Sequence, residues 1–160
     1  MSKYARIERE RRFLLTSLPA DAGPAQRIED LYVDGSRLRL RKLTAADGTV
    51  VLKLTQKIDV DPAHRSITTL YLTPEEYERL AALPGARLAK RRHPFAWKGV
   101  TFGVDVFEGP LGGLVLAEVE ADSDAALWSV DLPPFADREV TDRVEYTGGS
   151  LARAASPPSI

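Results

Sequence analysis

Arg37-Leu38-Arg39-Leu40-Arg41 is the stretch that decides how this chain is read. Three arginines alternate with two leucines, and in an extended strand the side chains at i, i+2 and i+4 share one face. The strand therefore has one basic face and one apolar face. The same spelling recurs along the chain. Glu8, Glu10 and Arg12 share a face in residues 5–16, and Lys53, Thr55 and Lys57 share one opposite Leu52, Leu54 and Gln56. Lys90 and Arg92 form another such pair, and Glu118 and Glu120 alternate with Ala117 and Val119. On any single strand this is also what the solvated outer face of an antiparallel sheet shows. As a set the strands differ from that, because each carries nearly one sign of charge. Like charges so close repel, and something must offset the cost. A closed barrel with a polar interior supplies the offset, since eight strands leave room inside for side chains or one small ligand. Acid pairs from different strands suit a hard cation such as Mg²⁺, which takes oxygen ligands. Basic pairs suit a polyanion, with Arg offering forked donors to phosphate oxygens and Lys a mobile point charge.

The rest of the chain fits a mainly β (α+β) domain. Strand-like runs are expected at 5–16, 27–33, 36–43, 49–58, 65–72, 87–94, 100–108 and 114–121, a regular spacing typical of barrels and sandwiches. Asp34-Gly35 and Asp47-Gly48 mark tight turns. One helix is well signposted: Thr73 caps, Pro74 takes the first helical position and Glu76 completes a capping box. Tyr77, Leu80 and Ala81 give it an apolar face. Shorter helices are expected from Ser123 and around 150–154. Trp97 and Trp128 read as packing residues, Tyr71 as packing or ligand contact, and His64 and His93 as surface or rim residues.

Composition narrows the function classes. The 160 residues carry 22 Lys and Arg against 23 Asp and Glu, a formal net charge of -1, which argues against a general nucleic-acid or membrane-surface binder. At 44% hydrophobic and 28% charged, the chain has the makeup of an ordinary globular protein. It has no Cys and only two His, so disulfides, thiolate sites and a multi-histidine metal centre are not expected. No apolar run opens the sequence, and a cytoplasmic location is the expectation. One domain over 1–160 is expected, with a core at about 5–153 and a frayed tail at 154–160.

The charged strands also resemble a known family, the CYTH domain or triphosphate tunnel metalloenzymes. Glu8-Arg9-Glu10-Arg11-Arg12-Phe13-Leu14 is similar to the family's opening Glu-x-Glu-x-Lys followed by an apolar pair. Arg39 and Arg41 resemble its Arg-x-Arg, Leu54-Thr55-Gln56-Lys57 its Leu-Thr-x-Lys, and Lys90-Arg91-Arg92 its Lys-x-Arg. Val104-Asp105-Val106-Phe107-Glu108-Gly109, Gly113-Leu114, Ala117-Glu118-Val119-Glu120, Glu139-Val140-Thr141, Tyr146 and Leu151-Ala152 follow in the family's order. The resemblance implies an eight-stranded antiparallel β-barrel tunnel with short peripheral helices. It implies Glu8, Glu10, Glu118 and Glu120 as catalytic ligands of Mg²⁺ or Mn²⁺. It implies Arg12, Arg39, Arg41, Lys57, Arg65, Lys90 and Arg92 as phosphate-binding residues, with Lys53 and Asp105 also facing the lumen. The partner would be a triphosphate-containing small molecule, tripolyphosphate or ATP, and neither nucleic acid nor membrane. The protein would act as a monomer or homodimer.

Three departures bear on activity. Arg12 stands for the signature Lys, which keeps the charge but changes reach and donor geometry. In Arg65-Ser66-Ile67-Thr68-Thr69, where the family reads Arg-x-Glu-x-Glu, Ile67 and Thr69 replace two acids. Val144 and Glu145 stand where basic residues often follow Glu-Val-Thr. The expected function is a metal-dependent triphosphatase. A phosphate-binding protein without catalysis is the alternative, and an adenylyl cyclase the third.

Overall fold

Alternating polar and β-branched residues build the strands, and Gly, Pro and Asp punctuate them. The computed structural model describes residues 2–159. Met1 and Ile160, the two ends of the expected span, lie outside the described residues. The elements in order are β1 (Arg6–Leu15), β2 (Gln26–Val33), β3 (Leu38–Thr44), β4 (Val50–Asp61), β5 (His64–Tyr71), α1 (Pro74–Ala81), β6 (Gly85–Trp97), β7 (Val100–Phe107), β8 (Val115–Glu120), α2 (Asp124–Trp128), β9 (Arg138–Glu139) and α3 (Gly148–Arg153). The eight long strands pair antiparallel in the order β5-β4-β3-β2-β6-β7-β8-β1, and β5 returns to β1 to close the barrel. Closure sets Glu8 opposite Arg65 and Arg6 opposite Ile67. No described helix is long and apolar enough to cross a membrane.

The apolar residues are divided between two sides of the wall. Phe13, Val104, Ala117 and Val119 are buried on the outer side, with Phe102, beneath the segment that carries Val130 and Phe135. The rings of Phe102 and Phe135 meet edge to face at 5.4 Å. Leu31, Val33 and Leu40 are also outside, covered by Tyr77, Leu80 and Ala81 of α1. The capping box forms as the sequence requires, Thr73 accepting from the Glu76 N–H and Glu76 from the Thr73 N–H. Inside the barrel, Leu14, Leu88, Phe107 and Leu116 plug one end, together with Tyr146 and Leu151. The rest of the interior is left to the charged faces.

Several boundaries differ from the sequence expectation. β4 continues to Asp61, and β6 runs through Pro94 to Trp97. Pairing with β2 ends at Arg92, so from His93 onward β6 has only β7 beside it. A residue without an N–H is tolerated on such an edge. The two-residue β9 has too short a pattern to read in sequence. It fills the gap beyond the β5 contact by pairing Glu139 with Phe13 and Arg138 with Leu14. The third helix starts at Gly148, earlier than expected. Trp97 packs against Phe102 and Phe135, but Trp128 is 56% exposed with the Arg11 guanidinium over its ring at 5.3 Å. Residues 154–159 form no helix or strand, although Ala154 packs on the core.

At Gly85 the backbone itself leaves no room for a side chain. A Cβ on Gly85 would lie 2.2 Å from the Tyr32 carbonyl oxygen and 2.9 Å from Leu31 Cδ1. The first contact is with backbone, which cannot rotate away. Gly85→Ala is therefore expected to destabilise the barrel by about 1–3 kcal/mol in denaturant unfolding. A midpoint equal to that of the wild type would show that β2 and β6 are not held so closely.

Candidate functional site: a tunnel of sorted charge

Strand parity points all the charged faces inward. A cavity of about 540 Å³ runs along the interior, within the range of ligand sites. All twelve residues singled out above line it: Glu8, Glu10, Glu118 and Glu120, with Arg12, Arg39, Arg41, Lys53, Lys57, Arg65, Lys90 and Arg92. Eleven Lys and Arg side chains line the wall against five Asp and Glu. The solvated-face alternative does not hold for β1 and β8, because Phe13, Leu15, Ala117 and Val119 are buried on the outer side while Glu8, Glu10, Arg12 and Glu118 face in. Asp105 is fully buried and lies behind the lining rather than on it.

Three acids converge. Glu8, Glu10 and Glu120 each place one carboxylate oxygen within 4.8 Å of the others. Register produces this, since Glu10 pairs with Glu120 across β1–β8 and Glu8 lies two residues along the same face. Burial, then the charges of Glu118 and Glu8, push the Glu10 carboxyl up to about 7. Burial, Glu8 and Glu118 also raise Glu120. Glu8 Oε1 is buried and accepts no hydrogen bond, although Lys57 Nζ lies 3.4 Å away and Arg65 Nη1 3.9 Å. An unsatisfied carboxylate oxygen among converging acids fits a hard divalent cation. Glu118 stands apart from this group. Burial would raise it, but Arg92, Lys90, Arg12 and Lys57 outweigh that and hold it well below the usual carboxylate range. Its Oε2 accepts from Arg92 Nη2.

The basic residues fall into two sets. In the first, acids, most of them buried, hold the cations in place. Asp105 accepts from Lys90 Nζ at 2.6 Å and from Arg92 Nε at 2.7 Å. Asp30 grips Arg41 with two bonds of 2.7 Å. Burial would raise Asp30, but Arg41, with Arg39 and Lys90, draws it down to about 2. Arg12 donates to Glu10 Oε1 at 3.1 Å and to the Thr141 carbonyl at 2.9 Å. Arg65 lies 3.5 Å from Glu10 and 3.0 Å from Asp59. The second set, Arg39 and Lys53, has no such partner among the described residues. Among the described residues Arg39 makes no ion pair and no side-chain hydrogen bond, and its Nε is buried. Lys53 is unpaired as well, and burial, Arg41 and Arg39 lower its pKa. Lys57 lies between the two sets: its Nζ is 3.4 Å from Glu8 Oε1, while burial and then Arg39 lower its pKa.

Some of the lining was not anticipated. Arg6 and Asp59 reach the tunnel, and α3 brings Arg153 to it. Strand parity could have flagged Arg6, which continues the face of Glu8; Arg37, already read on one face with Arg39 and Arg41, lines the tunnel as well. Arg153 follows the helix, and no strand pattern marks it. Ile67 and Thr69 do face the lumen, where Thr69 meets Thr55 through their hydroxyls at 3.0 Å. Val144 is exposed, and Glu145 bonds Arg143 away from the tunnel. Tyr71 is 75% exposed beyond the lining. His64 sits outside between Asp61 and Asp124, and the His93 ring meets the Gly23 carbonyl.

Comparisons with known proteins bear on the fold. No family model matches the chain, and no curated protein matches it in sequence. Among solved structures, the inorganic triphosphatase NE1496 aligns with a TM-score of 0.62 at 27% identity, over 92% of this chain and 95% of its own. A candidate adenylate cyclase from Bacillus halodurans shares the fold at a TM-score of 0.53 and 16% identity, over 78% of this chain and 86% of its own. So does a conserved hypothetical protein from Pyrococcus furiosus, with a TM-score of 0.51 and 19% identity over 76% and 86% of the two chains. What strand parity anticipated, these matches bear out at the level of fold: the chain has the closed antiparallel barrel of CYTH, or triphosphate tunnel, proteins.

Proposed function

We propose that this protein is a divalent-metal-dependent triphosphatase that hydrolyses inorganic tripolyphosphate or a nucleoside triphosphate within the tunnel. The observation that carries the reading is Arg39, a buried guanidinium that makes no ion pair or side-chain hydrogen bond with any carboxylate among the described residues. An uncompensated buried charge is costly, and a phosphate oxygen is the forked acceptor it lacks. The likeness to a protein described as an inorganic triphosphatase supports the same class of ligand.

Each group has a place in this account. Glu8, Glu10 and Glu120 would hold Mg²⁺ or Mn²⁺, with Glu118 close behind. When bound, such an ion neutralises charge on phosphate oxygens and lowers the pKa of attached water. Arg39, Lys53 and Lys57 bind phosphate oxygens directly. Arg12, Arg41, Arg65, Lys90 and Arg92 are pre-aimed by their acid partners and need little reorganisation when charge develops on the transferring phosphoryl group. The apolar plug closes one end to bulk water. A second reading, binding without turnover, is favoured by Ile67 and Thr69, which leave one wall of the lumen without carboxylates.

An assay of purified protein with Mg²⁺ or Mn²⁺ and either tripolyphosphate or ATP separates these readings. Metal-dependent phosphate release that falls by roughly a hundredfold or more in Glu10→Ala is expected. Thermal stabilisation by the ligand without turnover would favour the binding protein, and pyrophosphate with cyclic AMP a cyclase. The absence of any triphosphate binding would overturn all three. If the missing acids limit turnover, Ile67→Glu combined with Thr69→Glu raises kcat for tripolyphosphate. An unchanged kcat in the folded double variant would mean that those positions do not set the rate.

A further inference from the structure

A triphosphate chain fills charged space, whereas an organic group esterified to it needs a different wall. Such a wall adjoins the tunnel. A second cavity of about 370 Å³ lies beside it, and Gln26 and Arg92 line both. Apart from Arg92 none of its wall residues is charged. Pro24, Ala25, Ala45, Ala46 and Pro94 form its sides, with buried Phe102 behind them.

The walls are held in place before any ligand arrives. The Gly23 N–H donates to the Pro94 carbonyl at 2.8 Å, and the His93 ring nitrogen lies 2.9 Å from the Gly23 carbonyl. These contacts clamp the segment before β2 onto β6. On the other side, the Ala45 N–H donates to Thr49 at 2.8 Å and the Gly48 N–H to Ala45 at 2.9 Å, fixing the β3–β4 turn. A preformed groove spares a ligand the cost of ordering its site.

Arg92 marks the boundary between the two cavities. Its guanidinium is held inside by Asp105 and Glu118, while its stem lies against Gly103. A Cβ on Gly103 would come 3.0 Å from Arg92 Cδ, so the bare backbone makes room for this crossing. Gln26, beside it, is the only amide side chain lining the tunnel among the described residues, and it offers both a donor and an acceptor.

We propose that this groove takes the nucleoside of a nucleoside triphosphate whose phosphates lie in the tunnel. The inference rests on the triphosphate reading above. Proline and alanine walls accept a flat, weakly polar ring system, Gln26 meets its polar edge, and Arg92 stands between the nucleoside and the phosphates.

Ala25→Trp and Ala46→Trp fill the groove from positions outside the tunnel lining. Thermal-shift titrations with Mg²⁺ give dissociation constants for ATP and for tripolyphosphate, independent of turnover. Each variant is expected to weaken ATP by roughly tenfold, the scale of one lost apolar contact region, and to leave tripolyphosphate unchanged. ATP binding unchanged in both variants, or both ligands weakened alike, overturns the groove. So does a wild type that binds tripolyphosphate but not ATP, which leaves the tunnel reading standing. A wild type that binds neither ligand overturns the tunnel reading and this inference with it.

Discussion

Everything in this structure depends on keeping many like charges inside a closed wall. Desolvating a cation is costly unless a partner compensates it, and eleven Lys and Arg side chains share one lumen. Two devices make this tolerable. Asp105 and Asp30, neither of them lining the cavity, neutralise Lys90, Arg92 and Arg41 from behind. An apolar outer skin then adds hydrophobic core to the plug, which fills only one end of the interior. Phe13, Ala117 and Val119 are buried outside while Glu10, Arg12 and Glu118 face in. Along β1, β7 and β8 the wall is turned inside out compared with an ordinary barrel, and residues 122–140 cover that side as α1 covers the side of β2 and β3.

Only part of the interior charge is cancelled. The acid-backed cations are rigid, and their geometry is settled before a ligand arrives. Arg39 and Lys53 keep their charge free for one. The converging Glu8, Glu10 and Glu120 have the opposite deficit, with Glu10 raised to about 7 because burial and neighbouring carboxylates disfavour its ionised form. In the metal-free protein this group favours folding less as pH rises from the ordinary carboxylate range through about 7, since the unfolded chain ionises first. A divalent cation reverses that preference. The site is thus deficient in negative charge along one wall and in positive charge along another, and a metal with a polyphosphate corrects both.

Much of this was legible in the sequence, because alternation is a local property. Arg37-Leu38-Arg39-Leu40-Arg41 states its two faces outright, and so do the runs around Lys53, Lys90 and Glu118. Closure of the barrel and the inward direction of the charges could be anticipated once the signs were seen to be sorted. What stayed hidden depends on partners distant in sequence. Asp30 sits in Ile28-Glu29-Asp30, where nothing marks it as the mate of Arg41, and the pairing exists only through β2–β3 register. Arg153 reaches the tunnel through the packing of α3, and β9 exists only because β1 has an unpaired edge. The convergence of Glu8, Glu10 and Glu120 without Glu118 is likewise a matter of side-chain direction, which spacing does not fix.

The central claim is that an unneutralised cation in the lumen awaits a polyanion. Calorimetric titration of tripolyphosphate into the wild type and into Arg39→Leu tests it most directly. Saturable binding that weakens by about 10- to 100-fold in the variant is expected, the value of a charge-assisted hydrogen bond. Equal affinity for the two proteins, or no heat of binding to the wild type, would contradict it.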